Sequence, residues 1–156
     1  MPKAKKTTPK TEEVKDKQLK KGKKDRFVDE ITFQGIITEN SKIDIPEIQQ
    51  IKINSKDFEM DMQLPISLIE LIMHDFDHSL QEKSELVVMM SRGKIKPDFA
   101  MFLGKCIVYD VKEKYFLGSI GGLTIKVTNL SDNIKLFPQN AEINVALFKS
   151  LEEIQK

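Results

Sequence analysis

Between Phe58 and Leu64 apolar and polar side chains alternate without a break. Phe58, Met60, Met62 and Leu64 fall on one side, and Glu59, Asp61 and Gln63 on the other. A repeat of two with that contrast predicts a strand with one buried face. Glu47–Asn54 follows Pro46 and alternates towards its end through Ile51 and Ile53. Asn54-Ser55-Lys56-Asp57 then supplies turn residues, so Ile51–Leu64 reads as a β-hairpin. Upstream, Phe33–Glu39 is β-branched and aromatic around Gly35 and reads as another strand. Downstream, Leu86–Met90 is a fully apolar run, too short for a helix and suited to a buried strand.

Gly93 and Pro97 bracket a loop, and Phe99–Tyr109 is a long strand interrupted at Gly104, where a bulge or sharp bend is expected. Tyr115–Ile120 is followed by Gly121-Gly122. Leu123, Ile125 and Val127 then alternate with Thr124, Lys126 and Thr128, and Ile143, Val145 and Leu147 alternate in a last strand.

The period changes once. Pro65 ends the alternation, and Ile66, Ile69, Ile72 or Met73, and Phe76 recur every three to four residues. That spacing predicts a short helix at about 66–78, with Pro65 acceptable in a first helical turn. Seven or eight short strands with one short helix define a mainly β chain, at the spacing of a barrel or sandwich. No internal repeat is present.

Charge divides the 156-residue chain in two. Residues 1–26 hold eleven basic and four acidic side chains, and the remainder holds 14 basic and 20 acidic, so a net +7 precedes a net −6. The first segment has only Met1, Val14 and Leu19 as sizeable apolar residues, too few to offset the entropy of ordering it, and is expected to be disordered. Its lysines are read either as a contact for nucleic acid or a nuclear import signal, or as a solvated tail. The expected organisation is therefore a lysine-rich tail at 1–26, a β domain at 27–150 and a C-terminal end at 151–156.

A single cysteine, Cys106, excludes an internal disulfide and a Cys-rich zinc module. No apolar run approaches the roughly 18 residues of a membrane span, and no apolar stretch follows the N-terminal lysines as it would in a secretory signal. An intracellular, reduced protein without a membrane partner is the expectation.

Candidate chemistry is sparse. His74 and His78, the only histidines, stand at i and i+4 in His74-Asp75-Phe76-Asp77-His78, one helical face and hence a possible metal pair. No Cys or Glu is placed to complete such a site, and the charges read better as capping and solvating a surface helix end. Gly118-Ser119-Ile120-Gly121-Gly122 misses the nucleophile-elbow spacing by one position and lies between strands. A phosphate loop would need a lysine and a helix where Leu123 begins a strand. The segment reads instead as strand in which glycine permits close approach by another backbone, either within the barrel or from a partner. Cys106, among apolar strand residues, reads as a small core residue, and no carboxylate pair stands out as an acid–base couple. No catalytic residue, metal ligand or cofactor is expected. The aromatics Phe58, Phe99, Phe102, Tyr109, Tyr115 and Phe116 could serve a single-strand-binding barrel, yet a body of net −6 lacks the attraction behind most phosphate affinity. Protein–protein contact is the favoured reading.

Four segments resemble a known family in order and rough spacing, over about Ile31 to Lys149. Lys96-Pro97-Asp98-Phe99-Ala100-Met101-Phe102-Leu103-Gly104-Lys105 is similar to the aspartate–aromatic–x–Met–aromatic–Gly–Lys pattern of the eighth subunit of eukaryotic RNA polymerases. Ser119-Ile120-Gly121-Gly122-Leu123 resembles that family's serine–aromatic–Gly–Gly–Leu, Asn144–Lys149 its closing strand, and Phe58-Glu59-Met60-Asp61-Met62 its early Phe-x-Met-Asp-Leu strand. The resemblance implies an OB-type antiparallel β-barrel, a non-catalytic subunit docked on the largest subunit of a DNA-directed RNA polymerase, in a divergent or virus-encoded version.

By the same resemblance Phe99, Met101, Gly104, Ser119, Ile120, Gly121, Gly122 and Leu123 are the expected protein-interface residues. The expected location is the nucleus, or a virion or viral factory. Nucleic acid would be met at most indirectly or through the basic tail. The alternative is a free-standing OB-fold protein that binds single-stranded nucleic acid.

Overall fold

The computed structural model describes residues 27–131 and 134–155. The expected disordered tail at 1–26 lies outside the described residues.

Eight strands form a closed barrel: β1 (Glu30–Lys42), β2 (Ile48–Asn54), β3 (Phe58–Pro65), β4 (Glu85–Ser91), β5 (Ala100–Val111), β6 (Tyr115–Ile120), β7 (Leu123–Asn129) and β8 (Glu142–Phe148). Two short helices accompany them, α1 (Ile66–Phe76) after β3 and α2 (Leu151–Gln155) after β8. The mainly β chain expected from the alternation and the antiparallel barrel implied by the resemblance are therefore present, with two helices among the described residues where one was expected.

Around the barrel the order is β1-β2-β3-β7-β6-β5-β8-β4, with every neighbouring pair antiparallel. Two meanders, β1–β2–β3 and β5–β6–β7, join where β3 pairs with β7. On the other side β8 inserts between β5 and β4. β1 is long because it serves two partners. Its first half, from Glu30 to Ile36, pairs with β4, and its second half, from Ile36 to Lys42, pairs with β2. Closure gives every strand two partners, although Glu39–Lys42 of β1 pair only with β2 and Ala100–Cys106 of β5 only with β8.

The alternation in sequence becomes inside and outside. Phe58, Met60, Met62 and Leu64 of β3 are buried, while Glu59 is exposed and Asp61 and Gln63 are half-buried. They meet Phe33, Ile53, Val88, Phe116, Ile125 and Val145 in one core. Phe33 stacks on Phe58 with ring centroids 5.0 Å apart. α1 closes one end of the barrel, with Ile69 and Ile72 buried against the core. At other positions of the core, Phe116 meets the edge of Phe137 at 6.0 Å.

α1 starts at Ile66 as expected and ends two residues early. Pro65 is extended (φ −65°, ψ 144°) and ends β3, so it precedes the helix rather than joining its first turn. The helix stops at Phe76, because Asp77 takes the left-handed conformation (φ 55°) and returns its N–H to the Met73 carbonyl. Lys149 Nζ donates to the Phe76 carbonyl at 3.0 Å, a cation at the negative end of the helix.

Leu86–Met90 is continuously apolar because β4 is covered on both faces. Leu86, Val88 and Met90 face the core. Val87 joins Ala146, Phe148 and Ile95 in a second cluster, with Met89, Ala100 and Ile154 packed against it. That cluster lies outside the barrel, and the 92–99 loop and α2 supply its cover through Ile95 and Ile154.

The expected bulge at Gly104 is absent. Gly104 pairs in register with Val145, and β5 is irregular at two other places, between Ala100 and Phe102 against β8 and between Val108 and Asp110 against β6. Gly104 serves packing instead: a Cβ there would lie 2.8 Å from both Ile120 Cγ2 and Phe102 Cζ. The strand keeps its ladder and omits a side chain so that two larger ones can meet.

Candidate interaction site at the barrel end

β6 and β7 are joined by the tightest kind of hairpin. Ile120 pairs with Leu123, leaving Gly121 and Gly122 as a two-residue turn. Their φ values of 58° and 92° are those of a type I′ turn, which matches strand twist and which side chains disfavour. Ser119 Oγ accepts a hydrogen bond from the Gly122 N–H at 3.1 Å and secures the turn. Of the two expected reasons for these glycines, close approach within the barrel needs correction. Among the described residues nothing lies within 4 Å of a Cβ built on Gly121 or Gly122, so backbone sign, and not crowding within the barrel, selects them. Crowding selects Gly118 instead, where a Cβ would collide with Cys106 Sγ and sit 3.2 Å from the Ile107 carbonyl oxygen.

Beside this turn is a cleft of about 270 Å³. Met62, Leu64 and Pro65 from β3, Leu68 from α1 and Phe102 from β5 form its walls, and Ile120, Gly121, Leu123 and Thr124 bring the hairpin to it. Gln63 Oε1 accepts from the Thr124 N–H at 3.0 Å and ties β3 to β7 at the rim. The lining is apolar apart from this rim, so the cleft can desolvate an apolar group but offers no acid, base or nucleophile.

The structure brings some of the sequence-predicted interface residues together and separates others. Ile120, Gly121 and Leu123 line the cleft directly, and Gly104 underlies it by leaving room for Ile120 and Phe102. Ser119 and Gly122 hold and form the turn. Phe99 stands just before β5, 48% exposed with a left-handed φ of 66°. Met101 is turned into the core at 5% exposure, so the exposed apolar surface of that segment comes from Phe99 and Leu103. Met62, Leu64, Pro65, Leu68 and Thr124 were missed as cleft residues. The β3 residues read as core from their alternation, and Leu68 falls outside the apolar stripe of α1.

The chemical candidates resolve differently. His74 is exposed and beside Asp75, with Nδ1 2.9 Å from Oδ1. His78 lies beyond the helix and is buried; its Nδ1 accepts from the Leu80 N–H at 3.1 Å and its Nε2 donates to the Glu85 carbonyl at 2.7 Å. The left-handed Asp77 turns the two rings apart, and His78 is committed to fixing the 77–85 connection instead of solvating a surface. Among the described residues no three His, Cys, Asp or Glu side chains gather as ligands for a metal. Cys106 is fully buried, and burial pushes its thiol up to about 12, partly offset by a hydrogen bond from the Ser119 backbone.

No known protein family matches the sequence, and no curated protein matches it significantly.

Proposed function

We propose that this chain is a non-catalytic subunit of a multisubunit DNA-directed RNA polymerase, docking on the largest subunit and supporting transcription. The observation that carries the reading is convergence. Two of the four segments similar to the eighth polymerase subunit, Lys96–Lys105 and Ser119–Leu123, are separate in sequence, and Phe102 from one and Ile120, Gly121 and Leu123 from the other line a single cleft.

The physical form of the contact follows from the fold. In a closed barrel every strand already has two partners, so a partner protein is held chiefly through side chains and the exposed turn. The cleft has room for a large apolar side chain, whose burial is worth about 1.5–3 kcal/mol. Among the described residues nothing covers the backbone of Gly121 and Gly122, so a partner's chain can approach closely. Affinity purification of the tagged full-length chain from its native cells tests the proposal. The large polymerase subunits are expected among the co-purifying proteins, and their absence would remove the reading.

A further inference from the structure

Alternation sends polar side chains to the outside of a barrel, and β3 and β7 obey. β3 presents Glu59, Asp61 and Gln63 outward, and β7 presents Thr124, Lys126 and Thr128. β5 departs from the rule. Leu103, Ile107 and Tyr109 lie along its outer face at 40%, 41% and 44% exposure, interrupted by Lys105. β4 also turns apolar residues outward, but Val87 and Met89 are covered there from within the chain by Ile95 and Ile154. Residues opposite one another on neighbouring strands share a face, so the register shows what borders the β5 row. Ile107 stands opposite Ser119 of β6 and Glu142 of β8. Lys105 Nζ lies 3.4 Å from Glu142 Oε1, and Lys112 Nζ lies 3.7 Å from Asp110 at the far end, so the charges beside the row answer each other. At the near end the row meets the cleft. Phe102, the residue before Leu103, is one of its walls, and Ser119, opposite Ile107, holds the Gly121-Gly122 turn.

We infer that the docking surface continues from the cleft along the outer face of β5, where Leu103, Ile107 and Tyr109 take an apolar, uncharged patch of the same partner protein. This deepens the polymerase reading and rests on it. Area is the first reason. One aromatic side chain seated in the cleft buries about 150–250 Å², whereas a specific interface needs roughly 800 Å² on each partner. The cleft is too small to hold a subunit by itself, and the β5 row is the apolar surface that adjoins it. Charge is the second reason, because it selects the class of occupant. Lys105 is already paired with Glu142, so the row offers no surplus cation to a phosphate backbone. What contact gains here is burial of apolar area, which a protein surface supplies.

The test compares tagged full-length chains recovered from native cells. The I107T/Y109T double variant should bring down about ten-fold less of the largest polymerase subunit than the wild type does. Ile36→Thr, which removes an exposed apolar side chain from the outer face of β1, should leave that recovery unchanged. Ile107 and Tyr109 are both exposed, so the double variant should keep the wild-type melting temperature. A photo-crosslinking residue in place of Tyr109 gives a second measurement that needs no loss of binding, and should yield a product containing peptides of the largest subunit. Wild-type recovery by the double variant, an equal loss in Ile36→Thr, or no such crosslinked product would overturn the inference while leaving the polymerase reading standing. A wild-type chain that recovers no polymerase subunit would overturn both. A purified chain that sediments as a dimer, and as a monomer once Ile107 and Tyr109 are changed, would assign the face to a second copy and overturn the inference alone.

Discussion

Gly104 on β5 and Ile120 on β6 meet so closely that a methyl group added to the glycine would stand 2.8 Å from Ile120 Cγ2. Phe102 Cζ would be equally near. The missing side chain is what lets Phe102 and Ile120 together wall the barrel-end cleft. Gly104→Ala should overpack this corner and cost about 1–3 kcal/mol, measurable as a lower urea midpoint at unchanged slope. Unaltered stability would mean that the two side chains have room to move, and that the cleft is not held by this contact.

The hairpin glycines respond to a different force. Gly122→Ala meets no neighbour, yet forces an L side chain to a φ of 92°, and should cost about 1–2 kcal/mol through backbone strain alone. Gly121→Asn should be much milder, because Asn tolerates the left-handed region. Thermal melting of the two variants gives the comparison. Equal losses would contradict the strain account.

Their positions show which parts of the molecule the sequence makes legible. Strict alternation in β3 and β7 identified strand and buried face together, since one face of each is wet. Leu86–Met90 hid its architecture because both faces of β4 are covered, and a continuous apolar run does not say by what. α2 escaped because five residues are too few to display a period. Gly104 looked like a bulge because a glycine in a strand has several causes, and only the three-dimensional neighbours Ile120 and Phe102 distinguish them. The cleft was half legible. Its hairpin carries a motif, whereas Leu64, Leu68 and Thr124 reach it only through folding.

His78 and His74 should part company on substitution. His78→Ala leaves the Leu80 N–H and the Glu85 carbonyl without their ring partners, at a cost of about 1–3 kcal/mol. His74→Ala, at an exposed position, should stay within about 0.5 kcal/mol of the parent. Denaturant unfolding of both variants reads the difference, and similar losses would contradict the assigned roles.

Cys106 should be silent towards alkylating reagents at pH 8 in the folded protein and react once the chain is unfolded. Burial raises its thiol from 9.0 to about 12, so the folded state holds the proton more tightly than the unfolded state does. The stabilisation this represents is whole below about pH 9 and is lost as pH climbs towards 12, because the unfolded thiol ionises first. Cys106→Ala should flatten that part of the pH–stability profile. Rapid labelling of the native protein would contradict the burial.

The docking claim is tested most directly by a photo-crosslinking residue placed at Thr124, on the cleft rim, in the full-length chain inside its native cells. The account predicts a crosslinked product whose peptides come from the largest RNA polymerase subunit, diminished when Leu123 is also changed to Glu. Crosslinks confined to other proteins, or none at all from a folded and expressed chain, would contradict it.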